Sequence, residues 1–260
     1  MKVPLYQVDA FTGRVFAGNP AAVCPLDDWL PDATMQAIAA ENNLSETAFF
    51  IDRRDYYDLR WFTPAMEVDL CGHATLASAY VIFHLLSSDK RSARFETRSG
   101  ALTVERDEGL LVMDFPAAPA QACELPEGLG EALGATPREV LAVPRDYLAV
   151  FESEDEVRRI DPDMAKLASL DRLGVMISAP GGEADFVSRF FAPRAGIPED
   201  PVTGSTHCTL VPYWAERLGK RELRALQLSR RGGELFCEAR AERVRIAGRC
   251  ALYLEGAIHV

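Results

Sequence analysis

One short pattern occurs twice in this chain, about half a chain apart. Each copy has an aromatic segment that ends at a proline, a polar loop, and a glycine that begins an apolar stretch of helical spacing. The copies are Arg60-Trp61-Phe62-Thr63-Pro64 with Cys71-Gly72-His73-Ala74-Thr75, and Arg189-Phe190-Phe191-Ala192-Pro193 with Thr203-Gly204-Ser205-Thr206-His207. A repeat at this distance predicts a duplicated protein with two similar halves.

Each copy places a glycine where a helix is predicted to begin, at Gly72 and at Gly204. The first N–H groups of a helix have no partner inside the helix, and the helix dipole makes this end attractive to anions. Glycine also lets a ligand approach the backbone closely, because it has no side chain. The sequence therefore predicts two helix starts that can bind an anion and that can share one cleft if the halves face each other.

Composition limits the class of protein and its partners. The chain has 260 residues, of which 48% are hydrophobic and 26% are charged, as is usual for a globular protein with a substantial core. The net charge of -11 and the lack of a Lys/Arg-rich cluster argue against a nucleic-acid partner. No stretch has the character of a membrane span or a signal peptide, so we expect a cytoplasmic protein without a membrane partner.

The cysteines and histidines do not follow the spacings of metal-binding or disulfide-rich proteins. The six cysteines are widely scattered without a C-x-x-C pair, and the four histidines form no H-x-x-x-H or H-E-x-x-H set. We therefore expect reduced thiols and no metal site.

The predicted elements follow a similar order in both halves. Strands surround a broad apolar helix over residues 72–86 in the first half and a helix over residues 204–218 in the second, and residues 250–260 predict a last pair of strands. Pro116-Ala117-Ala118-Pro119 is the best candidate linker, so we predict lobes over 1–116 and 117–255. The pattern predicts an α+β fold in which each sheet wraps one buried helix.

Five motifs, spread in order over nearly the whole chain, are more specific than any single glycine loop. They are Asp9-Ala10-Phe11-Thr12, Gly18-Asn19-Pro20-Ala21-Ala22-Val23, Asn43-Leu44-Ser45-Glu46-Thr47-Ala48-Phe49, Cys71-Gly72-His73-Ala74-Thr75 and Glu199-Asp200-Pro201-Val202-Thr203-Gly204-Ser205. Together they closely resemble the PhzF-like isomerase family of phenazine biosynthesis. The resemblance implies the diaminopimelate epimerase-like fold, with two pseudo-symmetric lobes, each a mixed sheet around a central helix, and an active site in the cleft between them. It also implies a homodimer, and a final strand, about residues 256–260, that can return to the first lobe.

The resemblance further implies proton transfer without a cofactor on a small carboxylate substrate, with Glu46 as the general acid/base. The residue types agree, since Glu46 is an acid in an otherwise uncharged strand candidate, where lost hydration makes a carboxylate a better base toward carbon. His73 and Asp200 match family active-site positions beside the two helix starts. A histidine there can donate or relay a proton toward a developing enolate, and an aspartate can orient it or hold a substrate amine.

Substrate binding is predicted at the helix starts. Gly72, Gly204 and Ser205 are expected to hold the substrate carboxylate through backbone N–H groups and a hydroxyl. Asn19 belongs to a matched motif and is a further candidate for lining the site. Arg60 and Arg189 can either reach an acidic ligand or stabilise the repeated strand.

Cys71 and Thr203 occupy equivalent points of the repeat and are also expected beside the substrate. Diaminopimelate epimerases and proline racemases, which are similar in fold, typically use two opposed cysteines as acid and base. A helix N-terminus is expected to lower the pKa of Cys71, but a threonine hydroxyl is a poor base. We therefore predict a one-base isomerisation by Glu46. The alternatives are an epimerase, racemase or dehydratase that uses Cys71, and a non-catalytic member of the fold that binds another protein.

Overall fold

The computed structural model describes the whole chain, Met1–Val260, and the chain divides into two compact units. Unit 1 comprises Met1–Asp114 and Ala247–Val260, and unit 2 comprises Phe115–Ile246. Strands and helices occur in both units, which confirms the predicted α+β class. None of the helices combines the length and the apolar composition that a membrane span requires.

The strands outnumber the helices in both units. In chain order, the strands are β1 (Lys2–Ala10), β2 (Asn19–Leu26), β3 (Glu46–Asp52), β4 (Tyr57–Phe62), β5 (Glu67–Val68), β6 (Ser92–Thr97), β7 (Gly100–Asp107), β8 (Leu110–Pro116), β9 (Gln121–Ala122), β10 (Glu139–Ala142), β11 (Asp146–Val150), β12 (Gly174–Pro180), β13 (Phe186–Phe191), β14 (Glu222–Gln227), β15 (Gly233–Arg240), β16 (Arg243–Gly248) and β17 (Cys250–His259). The α-helices are α1 (Asp32–Asn42), α2 (Gly72–Val81), α3 (Leu129–Leu133), α4 (Glu154–Arg159), α5 (Met164–Ser169) and α6 (Gly204–Leu218).

The same series of strand pairings occurs in both units. In unit 1, β1 is antiparallel to β2, β2 parallel to β3, β3 antiparallel to β4, β4 parallel to β6, and β6 antiparallel to β7. In unit 2, β10, β11, β12, β13, β14 and β15 pair in the same antiparallel and parallel alternation. The two copies of the sequence pattern fall on β4 with α2 and on β13 with α6, which are equivalent places in this series.

The helix that follows each repeated strand has more buried residues than any other helix of its unit. Eight of the ten residues of α2 are buried, and α2 packs against β1, β2 and β3. The predicted helix over residues 72–86 is confirmed, although its last turn, Ile82–Leu86, is a π-helix. In unit 2, α6 ends at Gly219, which adopts a left-handed conformation at φ 61°, as is common for a glycine that follows a helix. Burial of apolar faces on a sheet is the main force that keeps such helices folded.

The end of the chain differs from the sequence prediction. The predicted pair of strands in residues 250–260 is wrong, because β17 is one strand over Cys250–His259. β17 pairs antiparallel with β1 from Lys2↔His259 to Ala10↔Cys250, and this long register leaves no room for a turn. The segment of unit 1 that follows unit 2 begins at Ala247, earlier than the return expected at about 256–260.

The two arginines of the repeat each hold a carboxylate in the segment that leads to the following helix. Arg60 in β4 contacts both oxygens of Glu67, at 2.7 and 2.8 Å. Arg189 in β13 contacts both oxygens of Glu199, at 2.7 and 3.1 Å. Bidentate pairs of this kind fix geometry as well as charge. Of the two roles that the sequence left open, these contacts favour the structural one.

Candidate active site

Glu46 is the first residue of β3 and lies beside Ala21 of β2. The five residues that follow it, Thr47–Ile51, are buried, and the Glu46 side chain itself is only 12% exposed. Its Oε2 lies 3.0 Å from Nε2 of His73, the second residue of α2. The sheet and the central helix of unit 1 thus bring together two residues that are far apart in sequence.

The contact between Glu46 and His73 is close but not aligned as a hydrogen bond. Glu46 Oε2 and His73 Nε2 are both buried, and neither has an aligned hydrogen-bond partner, although they are 3.0 Å apart. Most buried polar atoms in proteins are hydrogen-bonded, and exceptions occur at strained or catalytic positions. A carboxylate and an imidazole held this close, without a straight hydrogen bond between them, remain available to a proton or a substrate.

The other edge of the His73 ring faces two more of the predicted site residues. Its Nδ1 lies 3.3 Å from Asn19 Nδ2 and 3.5 Å from Cys71 Sγ. Burial lowers the pKa of His73, but electrostatic interaction with Cys71 and Glu46 raises it, and the balance lies well above the ordinary value. His73 is therefore a ring between a thiol on one edge and a carboxylate on the other.

Cys71 directly precedes α2 and is buried. Burial, followed by the charge of Glu46, raises the pKa of its thiol, and His73 and the backbone of Ala74 lower it by less. The expectation that the helix start makes Cys71 a ready thiolate is therefore wrong in direction, because lost hydration outweighs the favourable contacts.

Cys71, His73 and Glu46 also have the residue types of a metal site. Each offers a ligand atom within 4.8 Å of the others. However, the ring presents Nδ1 to Cys71 and Nε2 to Glu46, and one metal ion binds only one nitrogen of a ring. The arrangement suits a row of proton-exchanging groups better than a single ion. The predicted lack of a metal stays a prediction.

The starts of α2 and α6 share a feature that favours anion binding. Neither helix has a side-chain cap, and neither has an acidic residue in its first turn. By contrast, α4 and α5 are capped by Ser153 and Asp163, whose side chains accept hydrogen bonds from backbone N–H groups of the first turn. The helix starts at Gly72 and Gly204 therefore lack the side-chain acceptor that most readily satisfies such groups.

In unit 2, the predicted site residues lie together at the start of α6. Gly204 is the first residue of the helix, and Thr203 directly precedes it and donates a hydrogen bond from its hydroxyl to the Asp200 carboxylate. Ser205 is exposed, and its hydroxyl accepts a hydrogen bond of 3.3 Å from Arg145. The structure thus groups Asn19, Glu46, Cys71, Gly72 and His73 in unit 1, and Asp200, Thr203, Gly204 and Ser205 in unit 2.

Gln227, which no sequence motif identifies, holds this loop in place. It is 1% exposed, and its Nε2 donates to the backbone oxygen of Asp200 at 2.8 Å and to the Thr203 hydroxyl at 3.1 Å. Its Oε1 accepts from the Thr203 N–H at 2.9 Å. A lone glutamine at the end of a strand gives no sequence signal for such a role. Ser45, which donates to Asn19 Oδ1 at 2.9 Å, was missed as well.

Replacing Gln227 by Leu is expected to destabilise the start of α6. The change keeps the size of the side chain but removes the partner of the buried Thr203 N–H, at a cost of about 1–3 kcal/mol. It also removes the donor to the carbonyl of the half-buried Asp200. Urea unfolding would measure the loss. Gln121→Leu, at an exposed position in β9, is the matched control and is expected to change stability by less than about 0.5 kcal/mol. Equal stability of the two variants would contradict the role of Gln227.

Comparisons with known proteins identify the family of the chain. Residues 8–256 match the PhzC-PhzF family, described as phenazine biosynthesis-like protein. An uncharacterized isomerase of Pseudomonas aeruginosa is 53% identical over 260 residues, and the match covers 100% of both chains. A crystal structure of a phenazine biosynthesis protein of the PhzF family from Enterococcus faecalis is similar with a TM-score of 0.98 and 46% identity over 100% of both chains.

A more distant likeness concerns the fold alone. A probable proline racemase from Agrobacterium radiobacter is 9% identical, with a TM-score of 0.66 over 99% of this chain and 93% of its own. Together with the likeness to the Enterococcus faecalis protein, it confirms the expected diaminopimelate epimerase-like fold.

Proposed function

Because this chain belongs to the PhzC-PhzF family of phenazine biosynthesis-like proteins, we propose that it moves a carbon-bound proton on a small carboxylate substrate, with Glu46 as the general acid/base. The prediction of an isomerase of this family is confirmed by the named relatives. The finer proposal rests on one observation, the 3.0 Å contact between two buried atoms, Glu46 Oε2 and His73 Nε2, that lack aligned hydrogen bonds.

The proposed reaction needs one base. The Glu46 carboxylate takes a proton from a substrate carbon, and the electron pair of the broken C–H bond moves into an enolate-like system. Glu46 then returns a proton to a different carbon on the same face, which leaves an isomer of the substrate. Between the two transfers the carboxyl proton exchanges with solvent, so heavy water supplies the label. His73, at 3.0 Å, offsets the charge of the carboxylate and keeps it oriented between the two proton transfers.

The helix starts are the proposed binding groups for the substrate. The N–H groups at the beginning of α2, including Gly72, and those of α6, including Gly204, are each assigned to carboxylate binding, with Ser205 as an additional hydroxyl donor beside Gly204. The uncapped helix starts support this assignment. Asp200 is assigned to a cationic or polar substrate group, and its carboxylate is held by Thr203.

The proposal requires no cofactor, because the proton acceptor is a side chain of the protein itself. It also retains the homodimer that the family resemblance implies and the cytoplasmic location expected from the sequence.

An epimerase or racemase that uses Cys71 is the main alternative within the same class. The 3.5 Å contact between Cys71 Sγ and His73 Nδ1 favours it, because an imidazole can accept the proton of a thiol. Two observations weigh against it. Burial raises the pKa of Cys71, and the equivalent residue of unit 2 is Thr203, whose hydroxyl is committed to Asp200.

Hydrogen exchange in heavy water tests the proposal. Small cyclic and amino carboxylates would be incubated with wild-type protein and with Cys71→Ala, and deuterium at carbon would be followed by NMR or mass spectrometry. We expect label at carbon with both proteins, at rates within about tenfold of each other, because Cys71 is not the base. Label with the wild type alone would support the Cys71 alternative. No label across a broad panel would contradict the proposed function.

A further inference from the structure

The proton chemistry of His73 takes place at Nδ1. Nε2 lies 3.0 Å from the Glu46 carboxylate. An ionised carboxylate has only lone pairs to offer, so a ring nitrogen this close to it must carry a hydrogen. Nε2 is then protonated whether the ring is neutral or charged. The proton that distinguishes the two forms of the ring is therefore the one on Nδ1.

Nδ1 faces the side-chain amide of Asn19, which can hydrogen-bond to Nδ1 whether or not Nδ1 carries a proton. Asn19 Nδ2 lies 3.3 Å from Nδ1, and Asn19 Oδ1 accepts a hydrogen bond of 2.9 Å from the Ser45 hydroxyl. In this orientation the amide donates to an unprotonated Nδ1. If the amide turns over, Oδ1 can accept from a protonated Nδ1, and Nδ2 can donate to the Ser45 hydroxyl, since a hydroxyl both donates and accepts.

Because Asn19 and His73 are both buried, the amide and Nδ1 need each other as hydrogen-bond partners. Asn19 is 0% exposed and His73 is 6% exposed, so bulk water cannot take the place of either partner. A buried donor or acceptor left without a partner costs about 1–3 kcal/mol. The titratable groups that act on the ring are Glu46 at Nε2 and Cys71, whose Sγ is 3.5 Å from Nδ1. Neither group has both a strong hydrogen-bond donor and a strong acceptor to offer to Nδ1, as the Asn19 amide has.

We propose that Asn19, oriented by Ser45, is a positioning residue that partners His73 Nδ1 in both protonation states of the ring, while Nε2 keeps its hydrogen on the edge that faces Glu46. This assignment differs from the expectation that Asn19 lines the substrate site, and its consequence for catalysis rests on the proposed function of Glu46. Asn19 acts through His73, and Glu46 is the group that meets the substrate.

The turn sequence Gly18-Asn19-Pro20 is consistent with this role. Asn19 is the first residue of β2 and pairs with Ala10 of β1, so its backbone is fixed by the sheet. Ser45 directly precedes Glu46, and β2 lies parallel to β3. The strand pairing that positions the base therefore also positions the amide and the hydroxyl that control its partner.

NMR of the substrate-free protein tests the proposal without any assumption about the reaction. The ring nitrogens of His73 would be followed by ¹⁵N chemical shift as the pH is changed. In the wild type, we expect Nε2 to stay protonated throughout and Nδ1 to gain and lose the titrating proton. A neutral ring with its proton on Nδ1 would overturn the proposal, whatever the enzyme activity.

Asn19→Asp is a more specific test, because an ionised carboxylate of nearly the same shape can accept hydrogen bonds but cannot donate them. It stabilises the protonated Nδ1, and we expect the pKa of His73 to rise further, by about 1 unit or more. Asn42→Asp is the matched control, since Asn42 donates to Thr47 and not to His73. An Asn19→Asp shift no larger than that of the control would overturn the proposal. If Asn19→Asp does not fold, the wild-type ¹⁵N titration decides alone.

Failure of this proposal and failure of the proposed function give different results. If carbon label appears in heavy water but Asn19→Asp leaves the His73 titration unchanged, the isomerase reaction stands and the role of Asn19 is refuted. If the titration shifts as expected but no carboxylate exchanges, the positioning stands and the reaction is refuted.

Discussion

Glu46→Gln is expected to lower the rate of carbon-proton exchange by about 10³-fold, with a fold that is otherwise unchanged. Loss of a positioned general base costs about 10²–10⁴-fold in typical enzymes, and an amide cannot accept the proton that a carboxylate accepts. Glutamine has almost the same size as glutamate, so the packing of the first residue of β3 is kept. The effect should therefore appear in the rate and not in the amount of folded protein.

Two further variants separate the role of Glu46 from a general effect of charge. Glu46→Asp keeps the carboxylate but withdraws it from the substrate and from His73, so we expect an intermediate rate. Glu41→Gln removes an exposed charge from α1 and should leave exchange within about twofold of the wild type. The measurement is deuterium incorporation at carbon, with circular dichroism to confirm the fold. If Glu46→Gln retains exchange within about threefold of the wild type, Glu46 is not the base.

The fold could be predicted because local pattern and tertiary packing agree. The apolar spacing after Gly72 and Gly204 predicts helices that the structure has as α2 and α6, and Gly219 ends α6 as its left-handed conformation requires. The last strand could not be predicted from local pattern, because β17 is fixed by its pairing with β1 at the opposite end of the chain. The residues of β17 alone do not indicate that this segment pairs with β1.

The candidate site, like the fold, could be predicted from the sequence only in part. Motifs select Glu46, His73 and Asp200 as candidates, but the distance between Glu46 and His73 depends on how α2 packs on the sheet of unit 1. The direction of the Cys71 pKa was missed because the sequence shows the helix start but not the burial that outweighs it. The hydrogen bonds of Ser45 and Gln227 depend on tertiary contacts and are likewise invisible in the sequence.

Gly18→Ala is expected to cause a large loss of stability and to disturb the active site as well. Gly18 has φ 66°, a left-handed conformation that costs an alanine about 1–2 kcal/mol. An added Cβ would also overlap the backbone oxygen of Ala10 and lie 2.7 Å from Thr12 Cγ2. Because Ala10 is fixed in β1, the turn itself must move, and overpacking of this kind adds about 1–3 kcal/mol.

The expected total for Gly18→Ala is about 3 kcal/mol or more, measured as the free energy of unfolding in urea. Gly134→Ala is the matched control, because Gly134 has the same φ of 66° but nothing within 4 Å of an added Cβ. It should lose only the conformational part, about 1–2 kcal/mol. Since Gly18 directly precedes Asn19, movement of the turn should also change the His73 ring signals, whereas Gly134→Ala, in unit 2, should leave them unchanged. If Gly18→Ala and Gly134→Ala lose the same free energy of unfolding, the turn accommodates the added Cβ without strain. The close approach of Gly18 to Ala10 would then not be what holds Asn19 in place.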